Sequence, residues 1–170
     1  MFKKIKIIFL VVVLLMCFVG CGSKEDTKQI FLSSFNMYIP ESWEIDESLA
    51  DLDTMAFYTD FSDDSVYYML FLSVNTSSYK ITSSDLVSKL ERVISKDEFT
   101  DVSDVVSKDL DGMIGYYIEY KQSDAKGDKY YRDYAFATGD EMIEMSFTTN
   151  KKDFSKIEKV VDTLKADNFD

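Results

Sequence analysis

Two thiols, Cys17 and Cys21, stand four residues apart in "LLMCFVGCGSKED", and the rest of the chain has none. The chain contains no histidine. That removes Ser-His-Asp and Cys-His nucleophile systems and the usual zinc sites. The six glycines are dispersed, so no phosphate-cradling loop forms, and Gly112, Gly127 and Gly139 fall at expected turns. Carboxylates are the chemical resource in excess, 31 against 19 Lys and Arg. Asp60-x-x-Asp63-Asp64 and Asp109-x-Asp111-Gly112 come nearest to a calcium loop. Neither has the D-x-[DN]-x-[DN]-G spacing with a distal Glu, so both read as solvated turns. Paired carboxylates can hydrolyse glycosides, but their separation is not fixed by sequence. The expectation is a chain without cofactor, metal site or catalytic residue. The alternative is a secreted carboxylate-dependent hydrolase or a calcium-dependent enzyme.

The residues before Cys21 explain where its thiol works. Met1-Phe2-Lys3-Lys4-Ile5-Lys6 is positive, and residues 7–19, "IIFLVVVLLMCFV", carry no charge. A positive start, about 7–15 apolar residues and a small-residue exit mark a secretory signal. The run is shorter than the roughly 20 residues a membrane-spanning helix needs. Its exit, Phe18-Val19-Gly20-Cys21, resembles the lipobox of bacterial lipoproteins, with Phe18 where Leu is usual. The resemblance implies cleavage between Gly20 and Cys21 and a diacylglyceryl group on the Cys21 sulfur. Cys17 leaves with the signal as a small hydrophobe. An uncleaved apolar anchor is the alternative.

The expected organisation is a signal over residues 1–20, lipidated Cys21 with a flexible tether to residue 29, and one domain over 30–170. The tether "GSKEDTKQ" reaches at most roughly 26–29 Å, so the domain stays near the extracytoplasmic face of the cell membrane. Removing residues 1–20, which hold Lys3, Lys4 and Lys6 and no acid, takes the net charge from −12 to −15. Such a body is repelled by nucleic acid and anionic lipid within about 8–10 Å, so a nucleic-acid partner is not expected. Two acyl chains at once satisfy the requirement for stable anchoring.

The domain must be built mostly from strands. "FLSSFNMYIP" leads to Pro40, which ends a strand because it has no N–H to donate. "TMAFYTDF" (54–61) and "SVYYMLFLSVN" (65–75) follow. In the latter Val66, Tyr68, Leu70, Leu72 and Val74 share one face and Tyr67, Met69 and Phe71 the other. Both faces are apolar, as expected of a central strand covered on two sides. A helix is predicted over about 84–95, with Leu86, Val87, Leu90, Val93 and Ile94 as its stripe and Ser83 or Ser84 as its cap. "DVVSKDLD" should meet "MIGYYIEYKQ" across Asp111-Gly112. "KYYRDYAFAT" and "EMIEMSFTT" follow, and a last helix is expected over about 153–166. This order predicts an α+β domain, a mainly antiparallel sheet of about six strands packed with two main helices.

"FNMYIPESWEI", the aromatic strands, "GMIGYYIEYK" and "KYYRDYAFATGDEMIEMSFTT" before a final helix together resemble the PsbP-like proteins. That superfamily includes a photosystem II subunit, a Ran-binding import factor and many bacterial lipoproteins. The resemblance implies an antiparallel sheet between helices and a non-enzymatic binding or assembly role, with no catalytic residue carried over.

The candidate binding surface is aromatic: Trp43, Tyr67, Tyr116, Tyr120 and Tyr131. A tryptophan near a strand end either stacks on a sugar or packs against the sheet, and packing is the commoner fate. Tyrosines give contact area at low entropy cost, yet alternation sends them to both faces, where they equally serve as cover. The expected function is that of a lipid-anchored, monomeric, non-catalytic binding or assembly module for an envelope protein or glycan.

Overall fold

The computed structural model of the chain describes residues 26–49, 53–58, 68–94, 98–110 and 112–166. Gly20, Cys21 and the expected signal lie outside the described residues, as do Tyr67, Asp111 and the Asp60–Asp64 turn. The described residues form ten strands: β1 (Thr27–Leu32), β2 (Phe35–Pro40), β3 (Glu44–Ile45), β4 (Thr54–Tyr58), β5 (Tyr68–Thr76), β6 (Val106–Ser107), β7 (Ile114–Asp124), β8 (Gly127–Thr138), β9 (Glu141–Thr149) and β10 (Lys165–Ala166). The helices are α1 (Ser83–Val93) and α2 (Ser155–Val161), with a 3-10 turn at Glu47–Leu49.

The expected α+β, mainly antiparallel architecture is present, but about six strands become ten among the described residues, in two sheets. One has the order β1-β2-β10 and the other β3-β4-β5-β9-β8-β7-β6. Every strand pair is antiparallel. Part of the excess comes from two-residue strands, too short to show a period. Part comes from "FLSSFNMYIP", which folds as the end of one strand, a turn with Ser33 at φ 51°, and a second strand. Residues 27–29, assigned above to the tether, are paired with Tyr38, Ile39 and Pro40 in β1.

Alternation along the long strands gives the seven-stranded sheet two apolar faces. On one, Leu70, Leu72, Tyr134, Phe136, Ile143, Met145 and Phe147 pack with Phe35, Met37 and Ile39 of β2 and Ile157, Val160 and Val161 of α2. On the other, Ile118, Tyr120, Ala135 and Ala137 pack with Ile81, Leu86 and Leu90 of the α1 segment. Leu86 and Leu90 are at most 3% exposed, and burying each contributes about 1.5–3 kcal/mol. The molecule is therefore layered as helix, large sheet, then small sheet with α2.

Two helix ends differ from expectation. Thr82, rather than Ser83 or Ser84, caps α1: its side chain accepts the Asp85 N–H and the Asp85 carboxylate accepts the Thr82 N–H at 2.8 Å. α2 stops at Val161, five residues short. The Thr163 hydroxyl donates to the Val160 carbonyl at 2.6 Å and accepts the Tyr38 N–H at 2.9 Å. Lys165 and Ala166 then pair with Asn36 and Phe35. Continuing the helix would forfeit these bonds to β2.

The expectation that β5 is covered on both faces also fails. Leu70, Leu72 and Val74 are buried, but Met69 and Phe71 are 43% and 41% exposed. The reason is the placement of α1, which lies over β7 and β8 and leaves β5 open on that side.

Candidate functional site

The open part of the sheet and the flank of α1 form a groove. Register places Ala56, Phe71, Ser146, Asp133 and Ile118 in one cross-strand row on the α1 face. Ile118 lies under the helix and Phe71 beyond it, so Asp133 and Ser146 fall at the boundary. There a cavity of about 160 Å³ opens, lined among others by Phe71, Lys89, Leu90, Asp133, Glu144 and Ser146. A second cavity of about 210 Å³ adjoins it, with Asn75, Tyr79, Arg92 and Met142 in its wall. Lys89 lines both cavities. Its ammonium pairs with Glu144 at 2.9 Å, and Glu144 also accepts from the Asn75 amide at 2.9 Å.

Asp133 forms the polar floor. It is 7% exposed and accepts the Ser146 hydroxyl at 2.6 Å and the Tyr120 hydroxyl at 2.8 Å. No Lys or Arg pairs with it among the described residues. Burial pushes its carboxyl above the usual range; hydrogen bonds from Ser146 and Tyr120 oppose the shift, and nearby Glu144 adds to it. The Tyr120 phenol is likewise held protonated by burial and by the adjacent Asp133 charge.

The aromatic candidates lie elsewhere. Trp43 is fully buried, stacked on Tyr68 with centroids 6.0 Å apart and edge-on to Phe147 at 6.4 Å, so it offers no face to a ligand. Its indole N–H has no hydrogen-bond partner among the described residues. Tyr120 and Tyr131 stack at 4.9 Å with an interplanar angle of 5°, and Phe99 packs on both. Tyr131 donates to the Gln122 side chain at 3.0 Å. Tyr116 is half-buried on the same face. The structure thus brings Tyr116, Tyr120 and Tyr131 to the α1 face as cover and places Trp43 in the opposite core. Asp133, Lys89 and Glu144 were not singled out from sequence. The available signal was the one acid within "KYYRDYAFAT", next to Arg132 and flanked by aromatic residues.

Among the described residues no group of three or more His, Cys, Asp or Glu could hold a metal ion, and no helix is long and apolar enough to cross a membrane.

No family model and no curated protein matches the chain. Solved structures do. A protein from Bacteroides thetaiotaomicron superposes with a TM-score of 0.59 at 19% identity, over 82% of this chain and 48% of that one. The chain therefore spans about half the length of that protein. A protein of unknown function, PA94 from Pseudomonas aeruginosa, superposes with a TM-score of 0.50 at 16% identity, over 78% of this chain and 89% of its own. At such identities the likeness is one of fold.

Proposed function

We propose that this chain is an extracytoplasmic lipoprotein, anchored through a diacylglyceryl group on Cys21, whose PsbP-like domain binds a protein partner and performs no chemistry. The observation that carries the binding reading is the open face of β5. Met69 and Phe71 stand about two-fifths exposed on a strand bonded on both sides, beside a helix that lies over β7 and β8. Apolar side chains grouped at a concave site mark interaction surfaces. From Met69 to Asn75 the groove runs along six residue steps, roughly 20 Å, the reach of a short peptide segment. A glycan is the less suitable ligand, because Trp43 is buried and offers no stacking platform. The net charge of −15 left after signal removal favours a basic protein surface. The PsbP-like assignment is supported by helices packed on both faces of an antiparallel sheet and by the Pro40-x-x-Trp43 element.

The second reading, a carboxylate-dependent hydrolase, draws on Asp133 and Glu144 lining one cavity. Lys89 and Asn75 engage Glu144, and two hydroxyls engage Asp133, an arrangement that holds both carboxylates in place and sets neither up as a general acid or base. Cross-linking in intact cells from a photoreactive side chain at position 71, compared with a Met69→Ser, Phe71→Ser variant carrying its probe at Tyr79, separates the readings. The expected result is a partner adduct that the folded variant loses. An unchanged adduct would place binding elsewhere. Turnover of a peptide or glycan by the purified chain, abolished in Asp133→Asn, would replace the binding reading with the enzyme.

A further inference from the structure

Resting on the binding reading above, we infer that the groove recognises a lysine or arginine side chain of the partner, flanked by apolar residues. The cavity against α1 holds two carboxylates, Asp133 and Glu144, and one ammonium, that of Lys89. Lys89 balances Glu144 at 2.9 Å. Asp133 is left over: a 7% exposed carboxylate bonded, among the described residues, by two neutral hydroxyls alone. The site is one positive charge short. A buried carboxylate without a counter-ion is costly, and an entering cation offsets that cost where water is scarce.

The walls fit the rest of such a side chain. Phe71, 41% exposed, presents a ring against which a guanidinium or ammonium gains cation–π attraction. Leu90 and Val93 of α1 line the cavity and suit the methylene stem of a long basic residue. Flanking apolar residues of the partner then meet Met69 at one end and Met142 with Tyr79 at the other. The chain's own net charge of −12 draws in such a segment and repels an acidic one.

The test uses the full chain in nanodiscs of neutral phosphatidylcholine, with empty nanodiscs as blank, and fluorescein-labelled nonapeptides. Each peptide carries a central Lys, Arg, norleucine or Glu flanked by Leu and Ala. Polarisation should show the Lys and Arg peptides binding at least about tenfold more tightly than norleucine, with Glu weakest. Asp133→Asn, checked by melting, should shrink the advantage of Lys over norleucine to under about threefold. Lys89→Met, at a partly exposed position and likewise checked by melting, should enlarge it by unpairing Glu144. Equal binding of Lys and norleucine peptides, lost in Phe71→Ser, would overturn the cation site and leave the groove standing. Binding indifferent to Phe71→Ser, Asp133→Asn and Lys89→Met would overturn both. Binding of no peptide would overturn the recognition of basic segments, with the cross-linking at position 71 deciding the groove separately.

Discussion

The guanidinium carbon of Arg132 lies 4.3 Å from the centre of the Phe154 ring, joining β8 to the residue from which α2 starts. The same group sits 4.8 Å from the Tyr117 ring. Its N–H groups donate to Glu119, to Glu158 of α2 at 2.7 Å and to the Tyr134 hydroxyl at 3.2 Å. Burial opposes the charge, but these bonds outweigh it and hold the guanidinium more firmly protonated than usual. Burial pushes the Tyr134 phenol up to about 12, against the pull of Arg132. A planar guanidinium can donate in its plane while its faces stay open to aromatic rings.

Arg132→Ala should therefore cost about 3 kcal/mol in urea unfolding, because it strips Glu119 and Tyr134 of a donor and empties a stacked site. Arg132→Lys should recover less than half of that, since an ammonium cannot occupy the same slot. A loss below about 1 kcal/mol for Ala would show that α2 docks through its apolar face alone.

Gly115 is the tightest backbone position. A Cβ there would stand 2.2 Å from a ring carbon of Phe136 and 2.4 Å from the Lys108 carbonyl oxygen. Phe136 is fully buried and Lys108 bonds Gly115 across the ladder, so neither can withdraw freely. Gly115→Ala should cost about 3 kcal/mol through overpacking. Gly139→Ala, at φ +62° with open space around it, should cost about 1–2 kcal/mol from backbone strain alone. The reverse ranking in melting experiments would mean that β6 and β7 part easily.

The anchor is tested at Cys21. The positive start, apolar run and Gly20-Cys21 exit lead to the expectation that Cys21→Ala yields an unprocessed chain without incorporated palmitate. Palmitate labelling that persists in the variant would remove the lipid assignment while leaving the folded domain's properties untouched.

The long strands were legible because β5, β7, β8 and β9 are runs of nine to twelve residues rich in aromatic and aliphatic side chains, bounded by turns such as Gly139-Asp140. Gly115 left a signal too, a glycine inside "MIGYYIEY", which marks a close approach. β3 and β10 were hidden because two residues have no period, whereas β6 lies inside "DVVSKDLD", the stretch expected to meet "MIGYYIEYKQ", and its Val106 and Ser107 pair with Tyr117 and Tyr116 of β7. The truncated α2 was hidden because its apolar stripe continues to Leu164, whereas the bonds that end it go to Tyr38, 125 residues away. The groove was illegible for the same reason. Alternation puts Met69 and Phe71 on a face, but only the position of α1 decides whether that face is covered. The tyrosines were the converse case: Tyr120 and Tyr131 have the composition of a binding surface, and Phe99 packs over both.

Asp133 should leave a signature in the pH dependence of stability. Its carboxyl is held above the usual range by burial and by Glu144, despite the bonds from Ser146 and Tyr120. The folded chain thus keeps this proton to a higher pH than the unfolded chain, where an aspartate titrates near 3.9. Its contribution to stability is full below about pH 4 and is lost as pH rises through the folded value. Asp85, Asp124, Asp128 and Asp153 behave oppositely, since hydrogen bonds lower them and their stabilisation is lost in acid. Comparing the chain with Asp133→Asn cancels those shared groups. Asn keeps the shape, and the Ser146 and Tyr120 hydroxyls can turn to donate or accept. The variant should gain stability relative to the parent as pH is raised from about 4 to about 7 in parallel urea titrations. A difference that stays constant over that range, or falls, would mean that Asp133 ionises in the folded chain as easily as in water and that the groove floor holds its charge without help.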